Sequence, residues 1–177
     1  MNRGFTLLEL LITIAVISIL TAILFAISAE EERNIALRQS AFQLAQDFRE
    51  MQNQAMGAQN YQCKAAETKT FGVYFGQTDG NWNNYYYLFA DCDSDKLYTV
   101  GTDVILRQTN LKSIIKVSAI SIPAPATSLQ VTFTPPDPIT SINTAITSVQ
   151  TIVTLARKDA AKTISVRVNS VGLIQIE

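Results

Sequence analysis

Glu9 is the residue whose surroundings ask most of chemistry. It is the one charged side chain in an apolar run from Phe5 to Ala29, and an ionised carboxylate at bilayer depth costs on the order of 3 kcal/mol on insertion scales, so such groups are usually paired and functional. Two readings follow. The carboxylate either waits for a cationic partner and sets register, as one buried polar group does in a coiled coil, or it snorkels from the helix end to the headgroups. Directly before the run stands Met1-Asn2-Arg3-Gly4. Hydrolysis of the Gly4–Phe5 bond would remove a basic tetrapeptide, create a new amine on Phe5 and leave the apolar segment on the chain. A secretory signal instead has a shorter apolar core with its cleavage site beyond it.

Four further groups of side chains could do chemistry. Asp91, Asp93 and Asp95 alternate as in the opening of an EF-hand loop, with Asp103 following, and hard cations such as calcium take several such oxygens. Lys96 stands where that loop needs glycine and Thr102 where it needs glutamate. An EF-hand is therefore rejected; a looser turn-bound calcium remains, against the favoured reading of a solvated turn. Cys63 and Cys92 are the only cysteines, and outside the cytoplasm the expectation is a disulfide, with two separate buried thiols as the alternative because geometry decides. Arg157, Lys158, Lys162 and Arg167 concentrate positive charge near the C-terminus. The favoured account is an exposed hairpin tip that protects edge strands; contact with DNA is the alternative, without interleaved aromatic residues to stack bases. Histidine is absent, so the chain by itself assembles neither a Ser-His-Asp nor a Cys-His nucleophile, nor the common histidine-containing zinc sites. No catalytic residue is assigned and no cofactor beyond that calcium.

The elements that must carry these groups can be read from periodicity. Phe5–Ala29 exceeds the roughly 20 apolar residues that cross a bilayer as a helix. Arg3 and the amino terminus flank one end, and Glu30, Glu31 and Glu32 follow the other before Arg33, so the N-terminus is expected inside the cytoplasmic membrane and the rest outside. The helix should continue to about Gln59: Leu37, Ala41, Leu44, Phe48, Met51 and Ala55 form an apolar seam, while Arg38, Gln39, Gln46, Asp47, Arg49 and Glu50 mostly take other faces. After Tyr61 the period becomes two. Strands are expected at 70–75, 85–90, 104–107, 114–120, 129–133, 148–155, 163–169 and 173–176, half-buried and antiparallel. The class is α+β, a long N-terminal helix on an antiparallel β-sandwich. The expected division is a leader 1–4, a membrane-length segment 5–29, an amphipathic continuation 30–62 and a β-rich domain 63–177. A formal charge of -1, one unit more negative once Arg3 is lost, offers no global basic field for nucleic acid.

Gly4-Phe5-Thr6-Leu7-Leu8-Glu9 resembles the prepilin leader of type IV pilins and type II secretion pseudopilins. The resemblance implies cleavage after Gly4 by a prepilin peptidase, N-methylation of Phe5, and a requirement for Glu9, fifth from the new terminus, in assembly with other pilins, where a neighbour's Phe5 amine would face it. Phe71-Gly72-Val73-Tyr74-Phe75, Tyr87-Leu88-Phe89-Ala90-Asp91, the acidic loop after it and Val168-Asn169-Ser170-Val171-Gly172-Leu173-Ile174 are similar to the GspH/FimT group of minor pseudopilins. That likeness implies a non-enzymatic, pilin-like, low-abundance subunit that joins or primes the tip of a periplasmic or cell-surface filament, and it raises DNA uptake as a role for the four bases. The Pro135-Pro136-Asp137-Pro138 loop and the Thr- and Ser-rich stretch to Ser148 depart from the pattern.

Overall fold

Fifty consecutive residues form one helix, α1 (Leu7–Met56), as expected of a segment without proline. The computed structural model describes residues 6–57, 60–64, 67–121, 127–135, 139–143, 150–159 and 162–177, without the side chains of Ala26, Ile27 and Ala29. The chain divides into two compact units, one to Ile35 and one from Ala36 to Glu177.

In the first unit the large apolar side chains are exposed, from Leu7 at 81% to Phe25 at 72%. Its hydroxyls turn inward on their own helix: Thr13 donates to the Leu10 carbonyl, and Ser18, Thr21 and Ser28 donate to the carbonyls of Ile14, Ile17 and Leu24, all within 2.9 Å. The segment therefore offers an apolar surface with these four hydroxyls satisfied, as lipid or a dry helix bundle demands. Among the described residues it is the one helix long and apolar enough to cross a membrane.

The second unit is built on the C-terminal part of α1 and two antiparallel sheets. Its strands are β1 (Tyr61–Gln62), β2 (Glu67–Thr68), β3 (Phe71–Thr78), β4 (Asn81–Trp82), β5 (Tyr85–Ala90), β6 (Val104–Asn110), β7 (Ile115–Ser121), β8 (Ser128–Thr134), β9 (Ile139–Ile142), β10 (Gln150–Arg157), β11 (Thr163–Asn169) and β12 (Ile174–Ile176). One sheet runs β6-β5-β3-β8-β9 with β4 paired to β3, the other β12-β11-β10-β7, and β1 pairs with β2. Alternation decides which face is dry. Val73, Leu88 and Val131 from the first sheet and Val117, Val153 and Val166 from the second meet Leu37, Ala41, Leu44, Phe48, Met51 and Ala55 in one core. The apolar seam of the helix is thus used by the chain's own sheets, and the class is α+β.

Several boundaries differ from the periodicity. β3 continues to Thr78, and the turn narrows to Asp79-Gly80, with φ of 52° and 74°; this two-residue turn suits the strand twist and explains glycine there. β6 runs on to Asn110. β9 was not expected, because the surrounding proline, serine and threonine hide its short apolar alternation; its inner residue Ile142 pairs with Val131. Of the expected strand from Ser148, residues 148–149 lie outside the described residues, as do Gln59 at the expected helix end and 136–138 and 144–148 of the proline and hydroxyl-rich loop.

Candidate functional site

Glu9 occupies the first turn of α1. Its backbone N–H donates to Thr6 Oγ1 at 3.2 Å, which makes Thr6-Leu7-Leu8-Glu9 a Thr-x-x-Glu helix start. The sequence carried that signal, and it gives Glu9 a second physical role: a carboxylate in the first turn is favoured by the unpaired amides and positive end of the helix. Gly4 and Phe5, the predicted processing pair, lie outside the described residues.

Cys63 and Cys92 are joined by a disulfide with Cα atoms 5.9 Å apart. It ties the segment after β1 to the residue just beyond β5, where the acidic loop begins. Asp91 is wholly buried. Its Oδ1 accepts from Ser94 N–H at 2.7 Å and its Oδ2 from Lys96 N–H at 2.9 Å. Asp103 closes the loop from the other side, accepting from Cys92 N–H and Thr99 N–H, both at 2.7 Å. Ser94 and Lys96 take left-handed backbone with φ of 64° and 67°. Burial, aided by the neighbouring carboxylates Asp93 and Asp103, pushes the Asp91 carboxyl up to about 7 against the backbone N–H groups that lower it. Asp103 is raised for the same first reason, its desolvation.

Carboxylate oxygens of Asp91, Asp93 and Asp95 lie within 4.8 Å of one another, so these three are the residues that could hold a hard cation. The hydrogen bonds nevertheless account for them as turn builders: Asp95 Oδ1 accepts from Leu97 N–H at 2.6 Å, a local side-chain turn. Tyr98 then anchors the loop to the sheet, its ring 4.8 Å from Tyr74 and 5.3 Å from Phe89.

The four C-terminal bases do not form one free cationic face. Arg157 is 3% exposed and holds Asp159 through Nε at 2.9 Å and Nη2 at 3.1 Å. Arg167 pairs with Glu177 at 2.8 Å. Lys158 and Lys162 are exposed. The alternation that puts Val166 and Val168 inward leaves Arg167 beside the β12 edge, whereas the buried guanidinium of Arg157 was not legible in its basic neighbourhood.

A further cluster was missed by sequence reasoning, which placed Asp47 on an outer face of the helix. Asp47 is buried. Its Oδ2 accepts from Tyr86 Oη at 2.6 Å and Thr109 Oγ1 at 3.4 Å, and its Oδ1 from Arg107 Nη2 at 2.6 Å. Arg107 also reaches Glu50 at 2.8 Å. Burial raises the Asp47 carboxyl while Tyr86 and Arg107 oppose the rise; burial and then Asp47 raise the Tyr86 phenol. The group clamps α1 to β5 and β6. Tyr86 at an inward strand position was the available signal, since a buried tyrosine hydroxyl needs a partner. Gln52 adds a tether, its Nε2 donating to the Gly172 carbonyl at 3.0 Å, and Gly172, at φ +79°, leaves the room that this amide fills.

Residues 1–25 match the family model described as the prokaryotic N-terminal methylation motif. The N-terminus of the chain carries that motif. Among solved structures the chain is similar to the type IV minor pilin FimU of Pseudomonas aeruginosa, at 14% identity and a TM-score of 0.49 over 82% of this chain and 90% of that one. No curated protein matches it in sequence.

Proposed function

We propose that the chain is a minor pilin or pseudopilin: inserted N-terminus inside into the cytoplasmic membrane, cut after Gly4 by a prepilin peptidase, N-methylated on Phe5, and then drawn into a filament with other pilins. The observation that carries this reading is the exposed apolar helix surface from Leu7 to Phe25, with Glu9 in its first turn, under a methylation motif that spans residues 1–25. Burying those side chains against neighbouring helices supplies cohesion at roughly 25 cal/mol per Å². Glu9 facing a neighbour's Phe5 amine offsets the cost of a carboxylate in that dry core and sets register.

On this reading the β-rich unit faces outward, and the subunit serves a type II secretion pseudopilus or a type IV pilus, at or near the tip, without chemistry of its own. The alternative, a membrane-anchored module touching DNA or a secreted substrate through its C-terminal bases, is disfavoured for DNA by the ion pairs that engage Arg157 and Arg167. Intact mass of the chain from membranes of cells with and without the prepilin peptidase tests the proposal. Loss of Met1–Gly4 and gain of one methyl group only with the peptidase is the expected result; an uncut chain in both strains overturns it.

A further inference from the structure

We propose that a cleft between the β3–β4 hairpin and β7 binds an anionic saccharide, one or two sugar rings carrying a carboxylate. The cleft has a volume of ≈ 530 Å³ and is lined by Asn81, Trp82, Asn84, Lys116, Ser118 and Lys158. That size lies within the range of roughly 300–1,000 Å³ usual for small-ligand sites.

The lining comes from three places far apart in the chain. The tight Asp79-Gly80 turn folds β4 back on β3 with Trp82 opposite Gln77. β7 alternates, burying Ile115 and Val117 and exposing Lys116 and Ser118. The backbone N–H of Lys158 donates to the Ile114 carbonyl at 2.9 Å, which holds the end of β10 against the start of β7. Two lysines 42 positions apart in sequence are thereby set on one rim with an indole.

Charge selects an anion. The ammonium groups of Lys116 and Lys158 are exposed, neither forms an ion pair with a described residue, and no carboxylate is among the lining residues. Trp82, the chain's single tryptophan, is half-buried and packed against the core, so it presents a fixed flat ring at low entropic cost. A pyranose face stacks on such a ring. Around it the amides of Asn81 and Asn84 supply donors and acceptors, and Ser118, which spends its proton on the Thr154 carbonyl at 3.1 Å, keeps its lone pairs as acceptors. Sugar hydroxyls use both kinds of group.

A nucleic-acid strand asks for something else, a basic groove that follows several phosphates. Two ammonium groups on a chain of formal charge -1 match one carboxylate per one or two rings better than a polyanion.

The test uses the full chain in detergent micelles, titrated with digalacturonate, with neutral galactobiose, with a decameric oligothymidylate and with hexaglutamate, reading Trp82 emission and, for variants, calorimetry. A saturable response to digalacturonate is expected, at least about tenfold tighter than to galactobiose, and weakened at least about tenfold by K116Q with K158Q while the circular dichroism is unchanged; both side chains are exposed, so the fold should not respond. W82A should weaken digalacturonate binding as well. No saturable response to digalacturonate, equal affinity in the lysine variant, or tighter binding of oligothymidylate or hexaglutamate overturns the proposal, the last two assigning the cleft to nucleic acid or to an acidic peptide.

Discussion

Replacing Cys63 and Cys92 together by serine removes a bridge between residues separated by 29 positions. Loop-closure entropy for a loop of that length amounts to about 3.6 kcal/mol at 25 °C in the chain-entropy relation. The loop it closes is not peripheral, since it contains β3 and β5, two central strands of the first sheet. With an unfolding entropy of about 2.1 cal/mol/K per residue over the Ala36–Glu177 unit, the loss corresponds to a fall of about 12 °C in the melting midpoint. Circular dichroism of the full chain in micelles, read at the strand band, measures it, with the oxidised wild type as reference and the reduced wild type expected to coincide with the double variant. A local readout accompanies the global one. β1 and β2 pair only with each other among the described strands, so without the bridge trypsin should cut faster after Lys64. A fall of less than about 4 °C, or a wild type insensitive to reductant, would show that the unfolded chain is not constrained as reasoned and refute the argument.

Other consequences can be checked separately. Glu9→Ala should insert and be cleaved normally yet enter filaments poorly, read by comparing membrane and sheared-filament fractions; normal incorporation removes the register role. Because the Asp91 carboxyl is raised to about 7 by burial, its protonated form is the one the fold favours, so its contribution to stability is present below about pH 4 and is lost as pH rises through about 7. The melting midpoint should fall over that window, and Asp91→Asn should flatten the slope without abolishing it, since Asp47 and Asp103 are shifted in the same direction; an unchanged slope would contradict this. Tyr86→Phe takes the 2.6 Å donor from buried Asp47 and should cost about 2 kcal/mol in urea denaturation, the scale of a hydrogen bond to a charged group. A loss near zero would mean that Arg107 and Thr109 suffice.

The legible parts of this protein were those written in local order. A run of apolar residues holding one acid, a seam at helical spacing, and alternation such as Ile164, Val166 and Val168 all state which face is dry, because a helix and a strand repeat their side chains at fixed periods. What escaped was contact at a distance. Asp47 belongs by spacing to a polar helix face, yet Tyr86, 39 residues on, and Arg107, 60 residues on, enclose it. β9 escaped for another reason: four residues beside prolines carry too short a pattern, and only pairing with β8 makes them a strand.

By itself the sequence determined a long apolar N-terminal helix with an acid in its first turn, the α+β class, and the lack of any histidine-based chemistry, since each depends on residue type and near-neighbour spacing alone. The tertiary structure decided which charges are spent and which are available. It buried Arg157 and paired it with the exposed Asp159, tied Arg167 to Glu177, joined Cys63 to Cys92, and set Lys116 and Lys158 beside Trp82. The bridge and the Lys116, Lys158 and Trp82 cluster turn on where strands from distant parts of the chain come to lie, and even for a pair as local as Arg157 and Asp159 the free energy of a charge is set by the dielectric and the partners it meets in the fold.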